Sequence, residues 1–292
     1  MQARQASING PDFICIGMPK AGTGWLYDQL SHHPDFWMPP AKELHYLDRS
    51  KPRLKNSVQL LDNWGKASRR AKRNGLRWGE QERAFLERVV SSVGQPMDVG
   101  RYANFFEYKN DRLSGDISPG YCSLEESVIS EIASTMPLTK ILLLVREPIA
   151  RAWSRICMAN RDGEFDVQLL DDPPGFADFI RKQRYIQSKS FPTGIIGRWK
   201  TCAPAIPFRV VLFDEIVRRP TETMQDILSF IGGDPAKAGA LPADYNRKSK
   251  TRKLQMPEQI KAVLIDYFAD EIRCCADLLG GAARAWPALY GL

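Results

Sequence analysis

The sequence predicts an α/β fold, a P-loop-like, doubly wound parallel sheet flanked by helices, in a single domain over residues 1–292. Three short apolar runs, at 13–16, 140–145 and 209–213, have the continuous hydrophobicity of strands that are buried on both faces. Helical patterns separate these runs, and strands that alternate with helices favour a parallel sheet. A chain of 292 residues is long enough to bury a substantial core of this kind.

The elements can be placed in chain order. The first strand leads through a Gly-rich turn into a helix that includes residues 25–30. Further helices are predicted over 80–93, 168–188 and 221–231. The final helix lies between Pro257 at its start and Gly280 after its end. Residues at helical spacing form its apolar face: Ile260, Val263, Leu264, Tyr267, Phe268, Cys275 and Leu278.

Residues 50–115 contain the helical pattern at 80–93 but no strong strand, so we expect an insertion or lid on the same domain. Within it, residues 66–73 (KASRRAKR) are strongly basic. A solvated helix face is the favoured interpretation of this cluster, and a patch for an anionic ligand is the second. Nucleic-acid binding is the third, because no aromatic residues are interleaved with the charges; we expect no nucleic-acid partner.

The composition indicates a soluble globular protein suited to an anionic ligand. The formal net charge is +7, with 43% hydrophobic and 26% charged residues. No apolar stretch is long enough to span a bilayer, and residues 1–13 lack the apolar core of a secretory signal. The six cysteines form no C-x-x-C pair, and three histidines without ligand spacing predict no zinc site. We therefore expect reduced, mostly buried cysteines and a cytoplasmic location.

The turn after the first strand has the outline of a phosphate-binding loop. A strand, a Gly-rich turn and a helix form the geometry in which backbone N–H groups cradle a phosphate. Gly17 and Gly22 have the spacing of a nucleotide-binding P-loop, but Thr23 occupies the position of its lysine. The lysine lies earlier, at Lys20, inside the loop.

A second cationic position follows the strand that ends at Val145. P-loop nucleoside triphosphatases place an Asp there to hold Mg²⁺, whereas this chain has Arg146. Ser154 lies eight residues further on, about two helical turns, so that an Arg and a hydroxyl could bind one phosphate. Alone, Arg146 could equally be a surface ion pair; together with the altered loop, a second phosphate site is favoured.

These segments resemble the sulfotransferases. Residues 19–25 (PKAGTGW) resemble their 5′-phosphosulfate loop, and residues 146–154 resemble their 3′-phosphate motif. Segments 42–48 (KELHYLD) and 115–121 (GDISPGY) are similar to the Glu-x-His-Phe-Phe and Ser-Pro-x-Tyr segments of the carbohydrate, heparan-type branch and its bacterial relatives. Residues 248–252 (KSKTR) resemble the late basic loop of that branch, which closes over the nucleotide.

The chain also departs from the heparan-type pattern. Asp116 stands where those enzymes often carry a basic residue, and Thr251 replaces a Gly of the late loop. The cysteine pair that flanks this loop, and the membrane anchor of the Golgi members, are not found in the sequence. These departures bear on the acceptor and leave the donor unaffected.

The resemblance implies 3′-phosphoadenosine 5′-phosphosulfate (PAPS) as donor, PAP as product, and no metal. Lys20 would stabilise the charge on the bridging oxygen, and Glu43 would be the general base. His45 would face the same side if the segment is extended, as an alternative base or a structural residue. The implied nucleotide-binding residues are Lys20, Ala21, Gly22, Thr23, Gly24, Trp25, Arg146, Ser154, Lys250, Thr251 and Arg252.

Several interpretations stay open at this point. A P-loop nucleotide kinase would need Lys at the position of Thr23 and Asp at the position of Arg146. A non-catalytic PAP- or glycan-binding protein would not need Lys20, Glu43 and His45 together. The acceptor would carry a hydroxyl or an amine, on a glycan, a lipid head group or a small natural product, anionic or neutral, and the 50–115 segment would shape its site.

Overall fold

The structure, a computed structural model, describes residues 10–237, 239–245 and 254–292. The sheet in this part of the chain contains β1 (Phe13–Gly17), β2 (Gly115–Ile117), β3 (Lys140–Val145) and β4 (Phe208–Leu212). The strands are all parallel and lie in the order β2-β1-β3-β4. Phe13 pairs with Gly115 on one side and with Lys140 on the other, and Ile141 pairs with Phe208. The predicted α/β fold with a parallel sheet is confirmed.

Helices connect and flank the strands. They are α1 (Thr23–Ser31), α2 (Lys55–Asp62), α3 (Trp64–Arg73), α4 (Glu80–Val90), α5 (Val99–Asn104), α6 (Glu126–Thr135), α7 (Pro148–Arg161), α8 (Pro173–Lys182), α9 (Arg184–Lys189), α10 (Pro192–Cys202), α11 (Phe213–Arg218), α12 (Pro220–Ile231) and α13 (Glu258–Leu279). Short 3₁₀ turns lie at Phe105–Lys109, Pro119–Ser123, Val167–Leu170, Gly281–Ala285 and Pro287–Tyr290. No helix of the described residues is long and apolar enough to cross a membrane.

The two central strands place the site. β1 is buried along its whole length and β3 from Ile141 to Val145, as expected of strands covered on both faces. The chain leaves β1 toward β2 on one side and leaves β3 toward β4 on the other. A crevice forms where the strand order diverges in this way, outside the carboxyl ends of β1 and β3. The loop after Gly17 and the segment after Val145 are therefore neighbours.

Three sequence predictions need correction. The region 168–188 is not one helix but a 3₁₀ turn followed by α8 and α9, because Pro173 begins a new helix and the chain leaves helical geometry at Gln183. Leu278, predicted on the apolar face of α13, is 48% exposed, whereas Ile260 and Phe268 on that face are fully buried. The six cysteines, all of them described by the structure, form no disulfide, but only three of them are buried.

The stretch 50–115 is mostly helical and contributes to the main core. Phe85, on α4, is fully buried and meets the ring of Trp37 edge-on at 5.4 Å between centroids. The indole N–H of Trp37 donates to Glu82 at 2.8 Å. These contacts tie α4 to the segment that follows α1. Whether the stretch acts as a lid stays a prediction.

Candidate active site

The phosphate-type loop joins β1 to α1 and leaves the start of that helix open. Gly22 caps α1 with φ 99°, a left-handed conformation that a side chain would strain. A Cβ at Gly22 would also lie 3.1 Å from Cδ1 of Ile216. The first backbone N–H to bond back to Gly22 is that of Leu26, at 3.1 Å. The preceding N–H groups, of Thr23, Gly24 and Trp25, have no acceptor within the helix, and a helix start of this kind is suited to an anion.

The predicted loop residues differ in what they offer. Gly24 is exposed, and nothing lies within 4 Å of where its Cβ would be. Ala21 is fully buried, and its N–H already donates to the carbonyl of Met18 at 3.2 Å. The side chain of Trp25 is packed, with its indole N–H donating to Ala243 at 2.7 Å. Only the backbone of Trp25 is therefore left for the predicted contact with a ligand.

A cavity of about 390 Å³ opens beside this helix start. Lys20, Glu43 and His45 all line it, so the structure brings the three predicted catalytic residues together around one space. The remaining lining residues come from the loop and the start of α1, from the segment that carries Glu43, from the turn after β2, and from α7 and α9: Pro19, Gly22, Thr23, Gly24, Lys42, Pro119, Gly120, Met158, Tyr185 and Lys189.

Lys20 lies in a positive electrostatic environment. Its Nζ is 3.7 Å from Sδ of Met158. Burial lowers the pKa of Lys20, and the guanidinium groups of Arg161, Arg146 and Arg155 lower it further. Cations held close together in this way repel one another, and an anionic ligand relieves that repulsion. The electrostatics therefore favour a multiply charged anion beside Lys20.

Glu43 and His45 meet, although not for the reason that the sequence suggested. The segment is not extended there: Glu43 has φ 64° and His45 has φ 53°, both left-handed. The turn nevertheless brings Nε2 of His45 to 3.5 Å from Oε2 of Glu43. Nδ1 of the same ring lies 2.7 Å from Oδ2 of Asp48, so the imidazole bridges two carboxylates. Glu43 also forms an ion pair with Lys42.

The carboxylates control the protonation of this cluster. Hydrogen bonds to Asp48 and Glu43 raise the pKa of His45 to about 9 despite partial burial. Burial raises the pKa of Glu43, but the contacts with His45 and Lys42 outweigh it and set the pKa at about 2. At neutral pH the site therefore holds an imidazolium at His45 beside an ionised Glu43.

Asp116, the departure noted in the sequence, is buried beneath this segment. It accepts hydrogen bonds from Ser118 Oγ at 2.7 Å and from Tyr102 Oη at 3.1 Å. Ser118 Oγ in turn accepts from the backbone N–H of His45 at 3.5 Å. Burial raises the pKa of Asp116 to about 6. Its position is a supporting one, below the cavity wall.

Arg146 contacts the phosphate-type loop from behind. Its guanidinium donates to the carbonyl of Lys20 at 3.1 Å and stacks on the ring of Phe213, 4.8 Å from the centroid. Burial lowers the pKa of Arg146. Ser154 lies two turns along α7 and is half-buried. Their convergence on one phosphate stays a prediction, as do Lys250, Thr251 and Arg252, which lie outside the described residues.

Sequence reasoning missed Tyr185 and Lys189 as residues of this site. They lie four apart on α9, one turn of helix, and so line the cavity from the same side. The ammonium of Lys189 lies 5.1 Å from the centroid of the Tyr185 ring. A Tyr and a Lys one turn apart carry no motif, and only packing reveals them. Among the described residues, no group of three or more His, Cys, Asp or Glu side chains could hold a metal ion.

The fold and the site together define a P-loop-like α/β protein in which the open start of α1 lies beside a Lys, a Glu and a His. The model of the sulfotransferase family matches residues 11–235, and the chain belongs to that family. Carbohydrate sulfotransferase 15 of Rattus norvegicus is 23% identical over 157 residues, which is 49% of this chain and 26% of that protein. The match thus spans about a quarter of the length of this curated relative.

A solved structure shares the fold. The sulfotransferase from Alicyclobacillus acidocaldarius superposes with a TM-score of 0.66 at 20% sequence identity. The alignment covers 94% of this chain and 98% of that one. This likeness confirms the sulfotransferase-type fold expected from the loop and motif order.

Proposed function

We propose that the protein transfers a sulfuryl group from PAPS to a hydroxyl or amine of an acceptor. One observation carries the proposal. Lys20, Glu43 and His45 line a single cavity at an anion-binding helix start, in a chain of the sulfotransferase family. The positive surroundings of Lys20 fit a donor with several negative charges. The predicted site at Arg146 and Ser154 supplies the second phosphate contact.

The proposed reaction is an in-line displacement at sulfur. The acceptor oxygen forms a bond to sulfur, the bond from sulfur to the 5′-phosphate oxygen breaks, and PAP leaves. Lys20 stabilises the negative charge that develops on that bridging oxygen. The N–H groups of Thr23, Gly24 and Trp25 hold the 5′-phosphate at the start of α1.

The acceptor proton passes to Glu43. His45 already carries a proton at neutral pH, and a neighbouring anionic donor raises its pKa further, so His45 is a poor acceptor of a second proton. Glu43 is ionised, and the same donor raises its pKa from about 2 toward the range in which it accepts a proton effectively. We therefore assign the base role to Glu43 and assign His45 as a cation that orients it.

Calorimetry with PAP and AMP tests the donor site. We expect PAP to bind at least about tenfold more tightly than AMP, because a hydrogen-bonded charged group contributes about 1.5–3 kcal/mol. Arg146→Gln retains an N–H donor for the carbonyl of Lys20 but removes the charge. The variant should bind PAP much more weakly than the wild-type protein does, and its affinity for AMP should change little. Arg273→Gln, an exposed substitution on α13, is the matched control.

Two outcomes would overturn the donor assignment. Equal affinities for PAP and AMP in the wild-type protein would remove the two-phosphate site. Transfer activity that requires Mg²⁺ and is lost in EDTA would instead favour the nucleotide kinase.

A further inference from the structure

A second and larger cavity adjoins the first. Its volume is about 640 Å³, within the size range of sites for small organic ligands. Lys42 lines both cavities, so its side chain stands at their boundary. Asn56, which lines the second cavity, donates to the carbonyls of Lys42 at 3.3 Å and of Glu43 at 3.4 Å. The segment that carries the proposed base therefore also contributes to the wall of the second cavity.

One face of α3 lines this cavity. Lys66 and Arg70 lie on that face, four residues apart. Asn63 and Asn74, which cap the two ends of the helix, also line the cavity. The basic cluster predicted at 66–73 is thus divided. Arg69 and Arg73 are exposed, as Lys66 and Arg70 are, but they are not among the residues that line the cavity.

The lining has a definite chemical character. Among the described residues it contains three cations, four carboxamides and no carboxylate: Lys42, Lys66, Arg70, Asn56, Gln59, Asn63 and Asn74. Carboxamides both donate and accept hydrogen bonds, as hydroxyl groups require. The cations fit a carboxylate or sulfate group.

An aromatic surface completes the cavity. Trp78 is half-buried in the wall and stacks on Trp64 with 6.2 Å between ring centroids and 13° between planes. The stack holds the indole of Trp78 as a rigid, flat, apolar surface. Such a surface suits the apolar face of a sugar ring, while the amides suit its hydroxyl groups.

We propose that this second cavity binds the acceptor and that the acceptor is an acidic saccharide, a hydroxylated ring that carries a carboxylate or sulfate. In this arrangement the acidic group of the saccharide contacts Lys66 and Arg70. The hydroxyl that receives the sulfuryl group extends past Lys42 to Glu43. The proposal rests on the proposed function. It also gives the 50–115 segment a specific role, because α2, α3 and Trp78 form most of the acceptor wall.

The test uses a matched pair of probes and a matched pair of variants. The probes are cellobiose and its acidic counterpart, a glucuronic acid linked β1,4 to glucose. The variants are K66Q/R70Q and, as control, R69Q/R73Q, which removes the same charge from two residues of α3 that do not line the cavity. Saturation-transfer NMR titration gives the dissociation constant of each probe, with and without saturating PAP.

We expect the acidic disaccharide to bind the wild-type protein more tightly than cellobiose. K66Q/R70Q should lower the affinity for the acidic disaccharide about tenfold, because charge-assisted hydrogen bonds are lost. R69Q/R73Q should change that affinity less than about twofold, since exposed charges that do not touch the ligand are screened by salt. PAP affinity should stay unchanged in both variants, which shows that they fold.

Several results would overturn this assignment. Equal losses in the two variants would mean a general charge effect. Equal affinities for cellobiose and the acidic disaccharide would show that the cations do not recognise the acidic group. Inorganic sulfate that binds as tightly as the disaccharide would mean a simple anion site. Binding to phosphatidylglycerol vesicles, lost in K66Q/R70Q alone, would assign the cavity to a lipid. Failure of PAP binding would count against the donor proposal, and the titration without PAP would still report on the cavity.

Discussion

Asp48 stabilises the protonated form of His45, and removing the negative charge of Asp48 should shift the pH dependence of donor binding. The Asp48 contact at 2.7 Å is the largest cause of the raised pKa of His45, while the Glu43 contact is longer at 3.5 Å. Asp48→Asn keeps an oxygen that can accept from Nδ1–H but removes the negative charge. We expect the pKa of His45 to fall from about 9 to between about 7 and 8 in the variant.

The sign of the effect follows from the direction of the shift. Anionic PAP favours the protonated imidazole, so PAP affinity is highest at pH values below the pKa of His45 in the free protein and falls as pH rises through that pKa. PAP affinity in the wild-type protein should therefore decline through about pH 9. In the variant the decline should come at least about one pH unit earlier. At pH 6 the two proteins should bind PAP alike.

Calorimetric titration with PAP between pH 6 and 10 measures this directly. At pH 8.5 the imidazole should be mostly charged in the wild-type protein and mostly neutral in the variant. We expect a difference in affinity of several-fold and no more than about tenfold, because the ring is about one-third exposed and water screens its charge. Asp270→Asn, which changes an exposed carboxylate on α13, is the control. A decline at the same pH in Asp48→Asn and wild type would refute the role assigned to Asp48.

Two further predictions concern catalysis and stability. Glu43→Gln should lower kcat by about 10²–10⁴-fold, because the amide cannot accept the proton, while PAP affinity stays near that of wild type; near-normal turnover would exclude the role. Lys109→Met should lower the free energy of unfolding in urea by about 3 kcal/mol, because it breaks a largely buried pair with Asp12 at 2.9 Å that ties the start of β1 to the chain before β2. Lys261→Met, which breaks an exposed pair, should change it by less than about 1 kcal/mol; equal effects would contradict the role of burial.

The strands that carry a strong apolar pattern could be predicted closely. β1 and β3 match their predicted runs to within one residue, since both are buried on both faces and admit only apolar side chains. β2 was missed: it is three residues long, begins with Gly115 and buries Asp116, so it has no apolar run. Its position depends on hydrogen bonds with β1 and with Tyr102, which local sequence cannot reveal.

The parts of the site that form within one short stretch of sequence could be predicted. The loop around Lys20 is local, and its Gly spacing indicates the turn that opens α1. The contact of Glu43 with His45 required left-handed backbone at both residues, which no propensity predicts for Glu or His. The presence of Tyr185 in the site depends on tertiary packing, and so does which basic residues of α3 line the second cavity.

Sulfuryl transfer itself is the central claim, and labelled PAPS tests it most directly. The purified protein is incubated with ³⁵S-PAPS and an extract of its host, in the presence of EDTA, and the label is followed by chromatography. The wild-type protein should move the label to a hydroxyl- or amine-bearing acceptor and release PAP, and Glu43→Gln should do so far more slowly. A protein that binds PAP tightly but transfers no label would contradict the claim and leave a non-catalytic nucleotide-binding protein.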